Sequence, residues 1–145
     1  MLDGEVMSAD FQDLMKQLQR KDGKKATDAV LHLFDFIPLD SFLEGTWNTP
    51  QTTRSNYVKY WVLEQTELLK HVVACEWEDV NLDTEEGEAR FKEINAAAVA
   101  GGYEGVMIKD VDAPYNCKRS HAWLKAKPFI EVTLEVVDVE EGTGR

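Results

Sequence analysis

The chain has 145 residues, 43% hydrophobic and 30% charged, with a formal net charge of -11. That length suits one ordinary core with the beginning of a second unit, and no apolar run approaches the roughly 18 residues of a membrane-crossing helix. With no basic region followed by an apolar one at its N-terminus, the chain is expected in the cytoplasm, as a monomer and without a membrane partner.

In chain order the pattern alternates strands and helices. Leu2 to Ser8 reads as an apolar strand, after which Ser8 or Asp10 caps a helix with Phe11, Leu14, Met15 and Leu18 at helical spacing. A polar turn follows at Lys21 to Lys25. Ala29 to Pro38 is a nearly continuous apolar run stopped by proline and reads as a buried strand. Asp40 to Gln51, with Gly45, Asn48 and Pro50, reads as loop, and Thr52 or Thr53 opens a helix through Leu69. Val72 to Trp77 is a further strand. Asp83 with Glu86 gives a capping-box pattern before a helix with Phe91, Ile94 and Ala98 on one face, ended by Gly101 and Gly102.

That helix delivers the chain to the strand Glu104 to Lys109, and a loop with Pro114 and Asn116 leads to Trp123 to Pro128. Strand side chains alternate, so Lys125 and Lys127 point one way while Leu124 and Ala126 point the other. Two parallel ammonium groups suit a phosphate. The final run, Ile130 to Val139, alternates apolar and polar residues and reads as a half-exposed strand.

A net negative charge is awkward for handling nucleic acid, whose phosphates need lysine and arginine. The acids, however, gather between Glu76 and Glu88 and between Glu131 and Glu141. Between those clusters Lys109, Lys118, Arg119, Lys125 and Lys127 form a basic stretch with Tyr115 and Trp123 interleaved. Cys75 and Cys117 are far apart, as are His32, His71 and His121, so no zinc site or disulfide framework is suggested.

Four segments in order, LDGE at Leu2 to Glu5, LHLFDF at Leu31 to Phe36, EGVMIK at Glu104 to Lys109 and WLKAKP at Trp123 to Pro128, resemble successive motifs of the ATP-dependent DNA ligases, members of the covalent nucleotidyltransferases. Their order and intervals match over nearly the whole chain. Tyr115, Asn116, His121 and Lys125 also fall where the family signature has an aromatic, a polar residue, a base and the first lysine. Ala126 departs from the pattern, which usually has a larger apolar residue there; it faces away from the phosphate side.

The resemblance implies an α+β fold of largely antiparallel sheets with flanking helices, in which residues 1–128 are the distal part of the adenylation domain and 129–145 begin an oligonucleotide-binding (OB-fold) barrel. It implies that ATP is attacked by a lysine, that AMP passes to the 5′-phosphate of nicked double-stranded DNA, and that the 3′-hydroxyl then displaces AMP. Lys125 and Lys127 would neutralise the α-phosphate, Glu104 would hold Mg2+, Phe34 would stack on adenine, and Glu5 would contact the ribose or the metal. Lys109 would also line the nucleotide site, although alternation puts it opposite Glu104 unless the strand twists or bulges.

Each residue also has a plainer reading. Phe34 with Phe36 could be core, Glu104 a surface carboxylate, Lys125 with Lys127 the solvated face of an edge strand, Asp3 part of a turn through Gly4, and Arg54 one end of a local salt bridge. The joint order of the motifs outweighs these. The family's nucleophile sits in a KxDGxR motif upstream of LDGE, which these residues do not contain. Lys21, Asp22 and Gly23 imitate it, but Arg20 stands where the lysine belongs and the group follows LDGE. A truncated ligase of viral or bacterial type, inactive alone, is therefore expected. An RNA ligase, a capping-type nucleotidyltransferase, and a non-catalytic nucleotide- or partner-binding module are the alternatives.

Overall fold

The computed structural model describes residues 1–8, 14–16, 29–65, 70–127 and 132–142. Its elements are β1 (Leu2–Met7), β2 (Val30–Phe36), α1 (Leu39–Glu44), β3 (Thr46–Trp47), α2 (Gln51–Glu64), β4 (Val72–Ala74), α3 (Glu85–Ala100), β5 (Val106–Lys109), β6 (Tyr115–Asn116) and β7 (Trp123–Ala126). Residues 14–16 are helical, as their spacing implies, while the rest of that helix and the turn at Lys21 to Lys25 lie outside the described residues.

The largest sheet has the order β1-β2-β4, with β2 central. The β1–β2 pairing is antiparallel and sets Leu2 against Phe36 and Met7 against Val30, with an irregularity between Asp3 and Gly4. A Cβ on Gly4 would lie 2.6 Å from the His32 carbonyl oxygen, so only glycine allows this close approach. Asp3 is thus a strand residue and not part of a turn. The β2–β4 pairing is parallel, whereas β3–β6 and β5–β7 are antiparallel two-stranded pairs. The mixed, mainly antiparallel character expected from the resemblance is what forms.

The core sits between β2 and α2, which pack together. Leu33, Ile37 and Val58 are fully buried there, joined by the charged pair Asp35 and Arg54 at 0% exposure. The continuous apolar run 29–38 thus does form a strand, buried at Leu33 and Asp35 and half-buried at its other positions.

Several boundaries differ from the sequence expectation. The segment from Asp40 to Gln51, read as loop, holds α1 and β3. Gly45, with φ 86°, sits at the end of α1, and its N–H reaches the Phe42 and Ser41 carbonyls, the left-handed cap that glycine permits. Helix α2 begins at Gln51, with Pro50 at the N-cap, and ends at Glu64; residues 66–69 lie outside the described set. The strand expected over Val72 to Trp77 is only three residues long. The cap of α3 is Thr84 in place of Asp83: its hydroxyl accepts from the Gly87 N–H at 3.1 Å.

The clearest correction is at the C-terminus. Residues 132–142 carry no strand, and Leu134, Val136 and Val137 are 80%, 78% and 92% exposed. Alternation is a property of one segment, but a strand needs a second to accept its hydrogen bonds and cover its apolar face. Among the described residues none does so.

Candidate functional site

Antiparallel register in the β5–β7 pair sets Met107 opposite Lys125 and Lys109 opposite Trp123. Directly opposed residues share a face, so Met107, Lys109, Trp123 and Lys125 line one side of this ribbon and Val106, Ile108, Leu124 and Ala126 the other. Lys127 continues the alternation on the lysine side. Ammonium Nζ atoms of Lys125 and Lys127 converge on a single oxygen, Glu104 Oε2, at 2.5 and 2.8 Å.

Glu104 reaches that face because the backbone turns at Gly105, whose φ is 138°. A Cβ there would come within 1.8 Å of the Ala126 carbonyl oxygen, so the turn is open only to glycine. The exception allowed for Lys109 is what occurs: regular alternation begins only at Val106, and Lys109 shares the face of Lys125. Hydrogen bonds from both lysines, Lys125 first, hold the Glu104 carboxyl down to about 2. The same contact raises Lys125. All three side chains stay half exposed, so the cluster is open to solvent and to a ligand.

Lys109 occupies the other end of the face. Its Nζ lies 3.7 Å from the centroid of the Trp123 ring and 4.7 Å from that of Phe34, and it donates to the Phe34 carbonyl at 3.4 Å. Burial, opposed by the charge of Asp35, lowers its pKa to about 8. Phe34 meets Trp123 edge to face at 5.8 Å. Glu5 is exposed on β1 opposite His32 and acts on Lys125 through its charge. The sequence-derived residues therefore fall into a Glu104–Lys125–Lys127 cluster and a Phe34–Lys109 pair, both on the β5–β7 face, with Glu5 acting at a distance.

Beneath that face lies a polar centre: the salt bridge read for Arg54 forms, but it is fully buried and its partner is the distant Asp35 in place of a local acid. Arg54 from α2 donates Nε and Nη2 to Asp35 Oδ1 and Oδ2 at 2.8 and 3.1 Å. Its Nη1 donates to the carbonyls of Thr49 and, at 2.9 Å, Ala113, and Nη2 also donates to Gln51 Oε1 at 2.6 Å. All five guanidinium N–H groups thus find acceptors. Gln51 Oε1 takes a further hydrogen bond from the Trp123 indole at 3.1 Å. The guanidinium also lies 5.5 Å from the Tyr115 ring centroid. Tyr115 in turn donates to Asp3 Oδ2 at 2.7 Å, and burial and that carboxylate raise its pKa. Asp35 within LHLFDFI was the available signal, since a carboxylate inside a buried strand demands a cationic partner. Arg54, set among threonine and serine on α2, gave no comparable sign.

Among the described residues no cluster of three or more His, Cys, Asp or Glu forms a metal cage, and no helix is long and apolar enough to cross a membrane. Glu104 and Glu5 supply hard oxygen donors, which suits Mg2+, an ion that keeps waters and takes one or two carboxylates beside substrate phosphates.

Residues 1–127 match the family model described as ATP dependent DNA ligase domain. The chain is 33% identical over 153 aligned residues to a probable DNA ligase of Kineococcus radiotolerans, covering 99% of this chain and 27% of that protein. Similarity to a DNA ligase of Methanococcoides burtonii is 31% identity, over 99% of this chain and 26% of the relative. A solved structure described as Pmar-Lig_PreS3 superposes with a TM-score of 0.92 at 68% identity, covering 99% of this chain and 33% of that one. The Chlorella virus DNA ligase-adenylate shares the fold, with a TM-score of 0.69 at 22% identity over 87% of this chain and 45% of its own. The chain belongs to the ATP-dependent DNA ligase domain family. It spans about a quarter of the length of the curated relatives it matches.

Proposed function

We propose that this chain supplies the phosphate-gripping half of the nucleotide site of an ATP-dependent DNA ligase that seals nicks in double-stranded DNA. The observation that carries the reading is the convergence of Lys125 and Lys127 on one exposed oxygen. Two ammonium groups held on one strand face and aimed at one anionic point are suited to the non-bridging oxygens of an α-phosphate, where charge must be neutralised as a nucleophile attacks. In the free chain the Glu104 carboxylate takes that point, so a phosphate competes with it for the lysines. Mg2+, when bound, would add positive charge at the phosphate oxygens, with Glu104 and Glu5 as its carboxylate ligands.

Phe34 is the adenine platform in this reading. One side of its ring already carries the Lys109 ammonium, so the base stacks on the opposite side or displaces the amine. Residues 1–128 serve as the distal part of the adenylation domain, and 129–145 as the entry to an OB-fold barrel. The exposed apolar residues Val132, Leu134 and Val136 support that last assignment, because they are alternate positions that a barrel would cover.

KxDGxR does not occur among the 145 residues, so the chain by itself is expected to form no covalent AMP adduct. Incubation with ATP labelled at the α-phosphate and Mg2+, followed by denaturation, tests this, and label on the protein would contradict it. A longer version carrying KxDGxR upstream is expected to seal nicked DNA in preference to a matched RNA nick. Replacing Lys125 and Lys127 by methionine should then abolish sealing, and equal sealing of the RNA nick would place the enzyme with the RNA ligases instead.

A further inference from the structure

We infer that Gln51 is the positioning residue for Lys109, acting through Trp123. The side-chain amide of Gln51 sits where α2 meets β7, buried at 4% exposure. Its Oε1 accepts from two donors, Arg54 Nη2 at 2.6 Å and Trp123 Nε1 at 3.1 Å, while its Nε2 donates to Ser55 Oγ at 3.1 Å. This set fixes the amide orientation, because a flipped amide would press N–H groups against two donors.

Arg54 is held in place without Gln51, since its four other donors are taken by Asp35, Thr49 and Ala113, two of them by Asp35. The indole is thereby tied through one carbonyl oxygen to the most deeply buried ion pair of the described chain. Lys109 Nζ then rests 3.7 Å from the centroid of the ring so held. A cation over an indole face gains most when partly desolvated and only while the ring plane keeps its tilt. Without the Nε1 hydrogen bond the indole keeps only its edge contacts with Phe34 and Tyr115, which leave its tilt less fixed, and the amine loses its seat.

The value of that seat for catalysis rests on the proposed ligase reading, in which Lys109 lines the nucleotide site. The hydrogen-bond relay itself does not. Charged and titratable groups that act on Lys109 come from each neighbouring element: Asp3 on β1, Asp35 on β2, Arg54 on α2 and Cys75 after β4. Of these only Arg54 touches Gln51, and its remaining donors are held by Asp35, Thr49 and Ala113 whatever stands at position 51.

The test uses the 145-residue chain, without nucleotide, with lysines labelled at Cε and read by proton–carbon NMR. In the unmodified chain the Lys109 ε-protons are expected far upfield of the other lysines, displaced by the Trp123 ring, and Trp123→Leu removes that displacement and so assigns it. Gln51→Met keeps length and packing but removes the acceptor, and at least half of the upfield displacement should vanish. Gln51→Glu retains an acceptor at the same reach and should preserve it. A folded Gln51→Met chain with Lys109 unmoved overturns the inference.

Should the methionine variant not fold, hydrogen exchange in the unmodified chain decides. The Trp123 indole N–H should exchange at least tenfold more slowly than that of Trp77, which is 44% exposed, and equal rates overturn the relay. Neither readout involves ATP or DNA, so a failed relay and a failed ligase reading are separate results.

Discussion

At the scale of single residues, the site is governed by how each charge is compensated. Arg54 and Asp35 are both at 0% exposure, and removing one partner leaves the other charged and buried. Arg54→Met should therefore destabilise the chain by about 3–5 kcal/mol, read as a lower midpoint in urea, whereas a double apolar replacement with Asp35 should recover part of that loss.

Glu104 and Lys109 bind protons in opposite ways. A carboxyl held at about 2 against an ordinary value of 4.5 favours the folded chain fully above pH 4.5 and loses that contribution as pH falls toward 2. Lys125→Met with Lys127→Met should return the Glu104 titration toward 4.5 in carboxyl-carbon NMR. For Lys109 the folded value of about 8 lies below the ordinary 10.5, so folding disfavours the ammonium. That penalty is full below pH 8 and is relieved as pH rises to 10.5, because only the unfolded chain keeps the proton in that window. The gain in stability across this interval should be smaller in Lys109→Met, and an unchanged pH dependence would show that the amine is not buried as described.

At the scale of elements, Gly105 links two strands and a salt-bridge cluster. Its φ of 138°, and the Ala126 carbonyl oxygen only 1.8 Å from where a Cβ would stand, leave no room for a side chain. Gly105→Ala should cost about 1–3 kcal/mol and detach Glu104 from the lysines, so that its carboxyl titrates nearer 4.5. Retention of the low titration in that variant would contradict the role given to the turn.

Strands β1, β2, β5 and β7 were legible because their period, length and bounding glycines or prolines are local properties. So was the shared face of Lys125 and Lys127, which follows from alternation alone, although their meeting on Glu104 did not. What local patterns could not carry was anything depending on a second segment. The register that brings Lys109 to the lysine face needs β7, and the burial of Arg54 needs Asp35, 19 residues away. The run after Pro128 shows the reverse case, a well-formed alternating pattern with nothing among the described residues to pair with. Helix α1 is hidden for a different reason: its six residues are too few for a period, and a glycine such as Gly45 marks a loop as readily as a helix cap.

At the scale of the whole molecule, the fold separates support from chemistry. The β2–α2 core and the Arg54 centre form the buried side, and the β5–β7 ribbon presents Lys125 and Lys127 half exposed with Lys109 tucked over Trp123 and Phe34. An overall charge of -11 is compatible with anion binding because the acids of α3 and of the C-terminal segment lie elsewhere in the chain from this ribbon. Local cations, and not the net charge, set the potential at the lysine face over a Debye length of about 8–10 Å.

The most direct test of the account is an NMR titration of the chain with MgATP, following backbone amides and lysine ε-groups together. The expected result is saturable binding with the largest changes at Phe34, Glu104, Lys109, Lys125 and Lys127, weakened at least tenfold by Lys125→Met with Lys127→Met. Saturable binding that leaves these residues unmoved, or affinity unaffected by loss of the two lysines, would contradict it.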